Sequence, residues 1–491
     1  MLFSKPLLAV LCAGAVIGAA APAHAGWDAL AALKARRGAH VTAAAVDLDT
    51  GQTLQTLDAQ TRLSPASVSK LVLAAAALET WPIDKTFVTR VVGTGRLDEG
   101  DLQGDLVVYS EGDATLDHAA LWVLAAQIKQ SGIRSVAGDL VVSTAPFGRL
   151  GCETRDRCEA LARSHTAYDA PLAAVGVDYG TWCVDVKPTQ PGAAARIQSC
   201  AAVDVPIPLT GAIQTREVRR GTWLWLDRVK RSDGEALVMG GDIRADGAGA
   251  RLYRSMADPA LGAGLLLRQM LGELGVTLTG GVRIDDDAIP RGARPLAAIE
   301  GRPLRAQITD LLRYSNNYIA DVLTLAMAAE RTPEPVTTLA RASEPLAELV
   351  LRARRQAGYA DDGTRPRLLS GSGLTPENRL SAQDLVALLA YEYRQTQTFP
   401  VFYGGLVVPG QAPNAYLRAG SAAWKTRVAL KTGTLSEPRT VFGMAGYLRK
   451  QNGGWIAFAA LVNGATPRQA VPLHESLDAI RKDIEALLAR H

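Results

Sequence analysis

Between Leu473 and Leu488 the apolar residues fall at Leu473, Leu477, Ile480, Ile484, Leu487 and Leu488, the spacing of one face of an α-helix. The positions between them carry Asp478, Arg481, Lys482, Asp483 and Glu485. A polar face of mixed sign suits a helix packed on a sheet better than one lying on a membrane, so a packed helix is expected over 473–489. Upstream, short apolar runs at 428–433, 441–448 and 455–462 read as strands. The start of the chain mirrors this end, with a helix near 27–36 and strands at 40–48 and 53–57 around Asp49-Thr50-Gly51. Ser64-Pro65 then reads as a helix start, with a hydroxyl for the N-cap and a ring suited to the first helical position. The alanine- and leucine-rich run from Lys70 to Glu79 propagates that helix until Trp81-Pro82.

The middle of the chain has a different texture. Short strands separated by turns are expected at 87–92, 105–109, 138–142 and 222–226, with one helix near 121–130. Cys183 and Cys200 lie symmetrically about Pro191-Gly192, which places them opposite each other across a hairpin and predicts a disulfide. Cys152 and Cys158 flank a short charged loop and are expected to close a small ring of their own. Asp258-Pro259 then opens a helix expected to return to the outer domain. The resulting plan is one domain from 26–84 and 255–491, interrupted by a β-rich insert at 85–254 that divides into two subdomains.

Composition narrows the class. A chain of 491 residues, 48% of them hydrophobic, has enough apolar surface for more than one core. Its net charge of +4 comes from interspersed charges of both signs, which gives no case for a nucleic-acid partner. None of its histidines falls in a zinc spacing, and no Walker loop, GxGxxG or GxSxG is present. No metal or other cofactor is therefore expected. Lys5 followed by the apolar stretch 6–21 and by Ala23-His24-Ala25 reads as a secretory signal, 1–25, removed before Gly26. Leu11 is too large for a lipid-attachment box at Cys12, so the expectation is an exported, periplasmic protein with no transmembrane anchor in its mature form. The even number of remaining cysteines suits an oxidising compartment.

Three short motifs carry the chemistry. Ser67 and Lys70 stand one turn apart at a helix start, where backbone N–H groups lack intrahelical partners. The Ser67 N–H is thus available to an oxyanion formed when the Ser67 hydroxyl attacks a carbonyl, and Lys70 faces the same way as a base. Ser315-Asn316-Asn317 follows after a long interval, and Lys431-Thr432-Gly433 ends an apolar strand with Thr434 beyond it. A glycine at a strand end lets a ligand approach the backbone, and Lys431 offers a cation for a carboxylate. Each motif alone is weak: SxxK is usually a solvated helix face, Ser315 a cap, Asn317 a turn residue and Thr432 a strand filler. Their order and context change the reading. Groups that meet at one site yet lie so far apart in sequence also require an insert between them.

Together the three motifs are the signature of penicillin-binding proteins and class A β-lactamases. The chain further resembles the serine D-alanyl-D-alanine carboxypeptidase/endopeptidases among the low-molecular-mass penicillin-binding proteins, the type with a large insert after the SxxK motif. That resemblance runs through Gly104-Asp105-Leu106, Glu111-Gly112-Asp113, Gly138-Asp139-Leu140, Ser370-Gly371-Ser372-Gly373-Leu374, Asn378 and Ala445-Gly446-Tyr447. It implies an α/β fold, a penicillin-binding/β-lactamase-like transpeptidase domain with helices on an antiparallel sheet and a large β-rich insert. It also implies Ser67 as acylated nucleophile, Lys70 as its base and Ser315 as proton relay. Asn317, Lys431, Thr432, Gly433 and Thr434 would bind substrate, the Thr434 N–H completing the oxyanion hole. The implied partners are peptidoglycan stem peptides and, as covalent inhibitors, β-lactam antibiotics. Tyr314-Ser315-Asn316 also fits a YxN motif, which would shift the register by one residue. Phe442-Gly443-Met444 is bulkier than the small polar run usual before Ala-Gly-Tyr and is expected to reshape the pocket. A serine β-lactamase is the alternative enzyme, although no ExxLN segment lies between Ser315 and Lys431; an inactive cell-wall scaffold is the alternative outside catalysis.

Overall fold

The structure is a computed structural model that describes residues 26–151, 166–201, 203–217, 221–232, 234–286, 291–332, 334–361 and 363–491. The expected signal segment and the expected Cys152–Cys158 ring lie outside these residues.

A five-stranded antiparallel sheet joins the two ends of the chain, in the order Val428–Leu435, Val441–Arg449, Trp455–Asn463, His40–Asp47 and Thr53–Leu57. Alternate side chains serve opposite layers. Ala43, Ala45, Phe442, Met444, Phe458 and Ala460 pack under the terminal helices Asp28–Arg37 and Leu473–Arg490. Ala44, Val46, Ala445, Tyr447, Ala457 and Ala459 pack under the helices Lys70–Thr80, Leu304–Arg313, Asn317–Ala329 and Ala382–Tyr393. Burial on both faces explains why these strands read as continuous apolar runs. The terminal helices are also joined by a cap: the buried Asp483 carboxylate accepts from Ala29 N and Leu30 N, both at 2.9 Å, at the start of the first helix.

The alternation corrects one expectation. Phe442 and Met444 point into the layer beneath the terminal helices, whereas Gly443 between them faces Val68. Their bulk fills a core and does not shape the pocket.

Among the described residues the intervening chain forms four further sheets. Val88–Gly93, Leu106–Ser110 and Leu140–Ser143 build the centre of a five-stranded mixed sheet, beside a four-stranded sheet containing Asp101–Gln103 and Ser135–Val136. Two three-stranded sheets occupy residues 181–255. Thr181–Lys187 and Arg196–Ser199 form the expected hairpin, and Cys183 and Cys200 are disulfide-bonded with Cα atoms 5.4 Å apart.

The expected return to the outer domain at 255 is not observed. Asp258 does cap the helix Pro259–Glu273, accepting from Ala260 N and Leu261 N. That helix, however, packs on His118–Gln130 and on the mixed sheet, where Val282–Asp285 and Arg294–Glu300 add the two edge strands. The insert defined by strand pairing therefore runs to Glu300. Its apolar helix face signalled burial, and periodicity does not say against which sheet.

Candidate active site

The chain reaches Ser67 through a constrained turn. Asn463 brackets the backbone of Ser64, accepting from its N–H and donating to its carbonyl, both at 3.0 Å. Ala66 then takes φ 48°, a left-handed conformation uncommon outside glycine. Ala66–Ser69 form a single 3-10 turn that runs into the α-helix Lys70–Thr80. The expected Ser64 cap is absent, because the Asn463 clamp holds the residue outside the helix and its hydroxyl is buried without a hydrogen-bond partner.

Lys70 is fully buried and its Nζ sits at the centre of the site. It lies 2.9 Å from Ser67 Oγ, 2.7 Å from Asn317 Oδ1 and 2.7 Å from the Ser372 carbonyl oxygen. The carbonyl and the amide oxygen only accept, whereas the serine hydroxyl also donates. A neutral amine can therefore donate to Ser372 and Asn317 while its lone pair receives the Ser67 proton. The Ser372 carbonyl is held in turn, since Ser372 N donates to the buried Asp321 carboxylate at 2.9 Å. Asn378 ties the same loop to the nucleophile turn, donating to Ser69 Oγ at 3.1 Å and to the Ser370 carbonyl at 2.9 Å.

Between the helices Leu304–Arg313 and Asn317–Ala329, Ser315 adopts φ 58°. That turn decides which side chains of the second motif face inward. Tyr314 is exposed, and the Asn316 side chain caps the following helix by accepting from Ile319 N at 3.0 Å. Ser315 Oγ accepts from Lys431 Nζ at 2.8 Å, and Asn317 reaches Lys70. The Asn317 amide is oriented unambiguously, because its Nδ2 donates to the Tyr168 carbonyl at 2.9 Å.

The third motif lies on the edge strand Val428–Leu435. Leu430 uses its outer N–H and C=O on Val407 at 2.9 Å each, so the pleat directs the N–H groups of Thr432 and Thr434 to the same outer edge, alongside the Ala66–Ser69 turn. Thr432 is half-buried there and Thr434 exposed. Only a glycine fits between them: a Cβ at Gly433 would lie 2.4 Å from the Pro65 carbonyl oxygen and 3.0 Å from Ser67 N. Lys431 is buried, donates also to the Thr432 carbonyl at 2.8 Å, and burial pulls its amine down from 10.5 to about 7.

The fold thus brings Ser67, Lys70, Ser315, Asn317 and the Lys431–Thr434 edge together. The contributions of Ser372 and Tyr168 are backbone carbonyls, to which residue identity gives no clue. Asp321, whose carboxylate holds Ser372 N, lies outside the three motifs. Among the described residues no cluster of histidine, cysteine or carboxylate side chains is arranged to hold a metal.

Known proteins are similar to this chain over nearly its whole length. A D-alanyl-D-alanine carboxypeptidase from Actinomadura sp. (strain R39) is 30% identical over 455 residues, 89% of this chain and 80% of that one. D-alanyl-D-alanine carboxypeptidase DacB from Haemophilus influenzae is 25% identical over 450 residues, 88% of this chain and 87% of that one. The crystal structure of penicillin binding protein 4 (dacB) from Haemophilus influenzae superposes with a TM-score of 0.72 at 22% identity, covering 94% of this chain and 99% of that chain. The same protein complexed with a β-lactam gives 0.70 at 20% identity over the same shares of the two chains. Residues 27–484 match the D-Ala-D-Ala carboxypeptidase 3 (S13) family throughout, and the chain belongs to that family of serine peptidases.

Proposed function

We propose that the protein is an exported DD-peptidase that removes the terminal D-alanine from peptidoglycan stem peptides, cuts their D-alanyl cross-links, or does both, through an acyl-enzyme on Ser67. The placement of Lys70 Nζ 2.9 Å from Ser67 Oγ, with acceptor-only partners on its other side, is the observation that carries this reading. Lys70 takes the Ser67 proton as Oγ attacks the penultimate D-alanine carbonyl. The N–H groups of Ser67 and Thr434 receive the oxyanion. Lys431 and Thr432 hold the terminal carboxylate, and Ser315 passes a proton to the departing amine. Asn317 holds the substrate peptide bond while keeping Lys70 in place. Water then hydrolyses the ester, restoring Ser67 and releasing the shortened peptide.

A β-lactam presents the same carboxylate and a strained amide, and its opened ring stays tethered where water must enter. The Haemophilus influenzae protein, which shares this fold, has been solved complexed with a β-lactam, and that supports β-lactam binding in this reading. Export, signal cleavage after Ala25 and a periplasmic location are part of the proposal; the Cys183–Cys200 disulfide supports an oxidising compartment. Among the described residues no helix is long and apolar enough to cross a membrane.

The test is to incubate the pure protein with muramyl pentapeptide and with cross-linked muropeptides and to follow D-alanine and monomer release. Ser67→Ala should abolish both releases. Rapid, repeated penicillin hydrolysis with no action on muropeptides would establish the β-lactamase alternative, and peptidoglycan binding without acylation would establish a scaffold.

A further inference from the structure

Segment 166–180 carries the insert to the active site, and it is wrapped around Tyr318, the residue after Asn317. Tyr318 is only 4% exposed, and its hydroxyl donates to the Ala173 carbonyl at 3.4 Å. Its ring meets that of Tyr179 edge-on, with centroids 6.4 Å apart and planes inclined at 66°. Two glycines let the ring pass. A Cβ at Gly176 would lie 1.9 Å from the Tyr318 hydroxyl oxygen, and one at Gly180 would lie 3.1 Å from Tyr318 Cε2.

The grip is made at the expense of the backbone. Asp178 and Tyr179 sit at φ 50° and φ 58°, a region that bulky residues rarely occupy unless their surroundings impose it. The imposing contacts come from both sides. On the insert side, Asp178 N donates to the Leu116 carbonyl at 3.0 Å, and Asp178 Oδ1 accepts from His118 N at 3.2 Å and lies 3.0 Å from His118 Nδ1. On the other side stands the Tyr318 ring. Upstream, the same segment supplies the Tyr168 carbonyl that accepts from Asn317 Nδ2 at 2.9 Å. One strained strap of the insert therefore holds two successive residues at the start of the Asn317–Ala329 helix.

We infer that Tyr318 is a positioning residue: clamped by insert segment 166–180, it sets the first turn of its helix so that the Asn317 amide bridges the Tyr168 carbonyl and Lys70 Nζ. This rests on the acyl-serine reading of the site. It also gives the insert a part in the reaction, because the strap that fixes Asn317 is anchored to the insert at the buried Leu116 and at His118.

The test measures acylation of Ser67 by fluorescent penicillin in the full chain, with thermal melting in parallel. Gly176→Ala drives a methyl into the Tyr318 hydroxyl and should slow acylation about tenfold or more, the scale expected when a catalytic group is displaced by about 1 Å. Adding Tyr318→Phe removes the obstructing oxygen and should restore the rate to within about threefold of wild type. In an Asn317→Ala background, Gly176→Ala should change acylation by less than about twofold while still lowering the melting temperature, since the strap then has no amide to place. If Gly176→Ala does not fold, Tyr318→Leu, which keeps an apolar side chain and loses the ring contact, takes its place in the same comparison. An equal slowing with and without Asn317, or failure of Tyr318→Phe to rescue, overturns the inference alone. A wild-type protein that takes up no penicillin overturns the functional reading, and the inference with it.

Discussion

Replacing Lys431 by methionine keeps the length of a buried side chain and removes its charge, and the ligand-free protein should become more stable at neutral and acid pH. Burial draws the amine from 10.5 to about 7. At about 1.4 kcal/mol per pH unit, enclosing the protonated group costs about 5 kcal/mol. Methionine forgoes the hydrogen bonds to Ser315 Oγ and the Thr432 carbonyl, together worth about 1–3 kcal/mol, so desolvation wins by roughly 2–4 kcal/mol. The pH window follows from the direction of the shift. Below about 7 the amine is protonated folded and unfolded, and wild type bears the full cost. Between about 7 and 10.5 the folded form has released a proton that the unfolded form keeps, so wild-type stability rises with pH. Above 10.5 both are neutral and the cost is gone. Urea unfolding followed by tryptophan fluorescence should show Lys431→Met ahead of wild type at pH 6 and the gap largely closed by pH 10, while its D-alanine release collapses. A variant less stable than wild type at pH 6, or a gap that ignores pH, would refute the reasoning. In the proposed reaction that cost is offset only when the substrate carboxylate pairs with the cation, as expected where stability is given up for function.

Other outcomes follow from neighbouring geometry. Gly433→Ala forces a methyl against the Pro65 carbonyl and Ser67 N, so the strand or the nucleophile turn must shift; it should reduce the acylation rate about a hundredfold or more, measured by stopped-flow with a chromogenic β-lactam, and lower the melting temperature as well. Asp483→Ala leaves Ala29 N and Leu30 N without their cap and should cost about 1–2 kcal/mol of stability in urea unfolding, with acylation unchanged in the folded protein. Cys183→Ser with Cys200→Ser should lower stability by about 2–4 kcal/mol, with new proteolytic cuts confined to 181–255 and penicillin labelling retained.

The parts of the structure most legible in the sequence are those where local pattern and tertiary environment agree. The strands 441–449 and 455–463 are buried on both faces, so their composition alone marks them, and the stripe Leu477, Ile480, Ile484 and Leu487 marks the helix that covers them. Ser67, Lys70, Ser315, Asn317 and Lys431 stand out in the sequence as three short motifs, and the fold links them by hydrogen bonds from Lys70 to Ser67 and Asn317 and from Lys431 to Ser315. What stayed hidden depended on pairing. Phe442 and Met444 looked like pocket residues until the sheet register placed them beneath the terminal helices. The Pro259–Glu273 helix was plain, yet its partner sheet was not, because an apolar face does not name what it meets. The Ser64 cap failed because Asn463, nearly four hundred residues away at a separation of 399, takes hold of the Ser64 backbone.

Intact-mass analysis after brief exposure to benzylpenicillin, followed by peptide mapping, tests the central claim most directly. A single stable adduct should appear on the peptide containing Ser67, absent from Ser67→Ala, with D-alanine release from pentapeptide lost in step with its formation. An adduct on another residue, or full D-alanine release from a protein whose Ser67 is completely modified, would contradict the account.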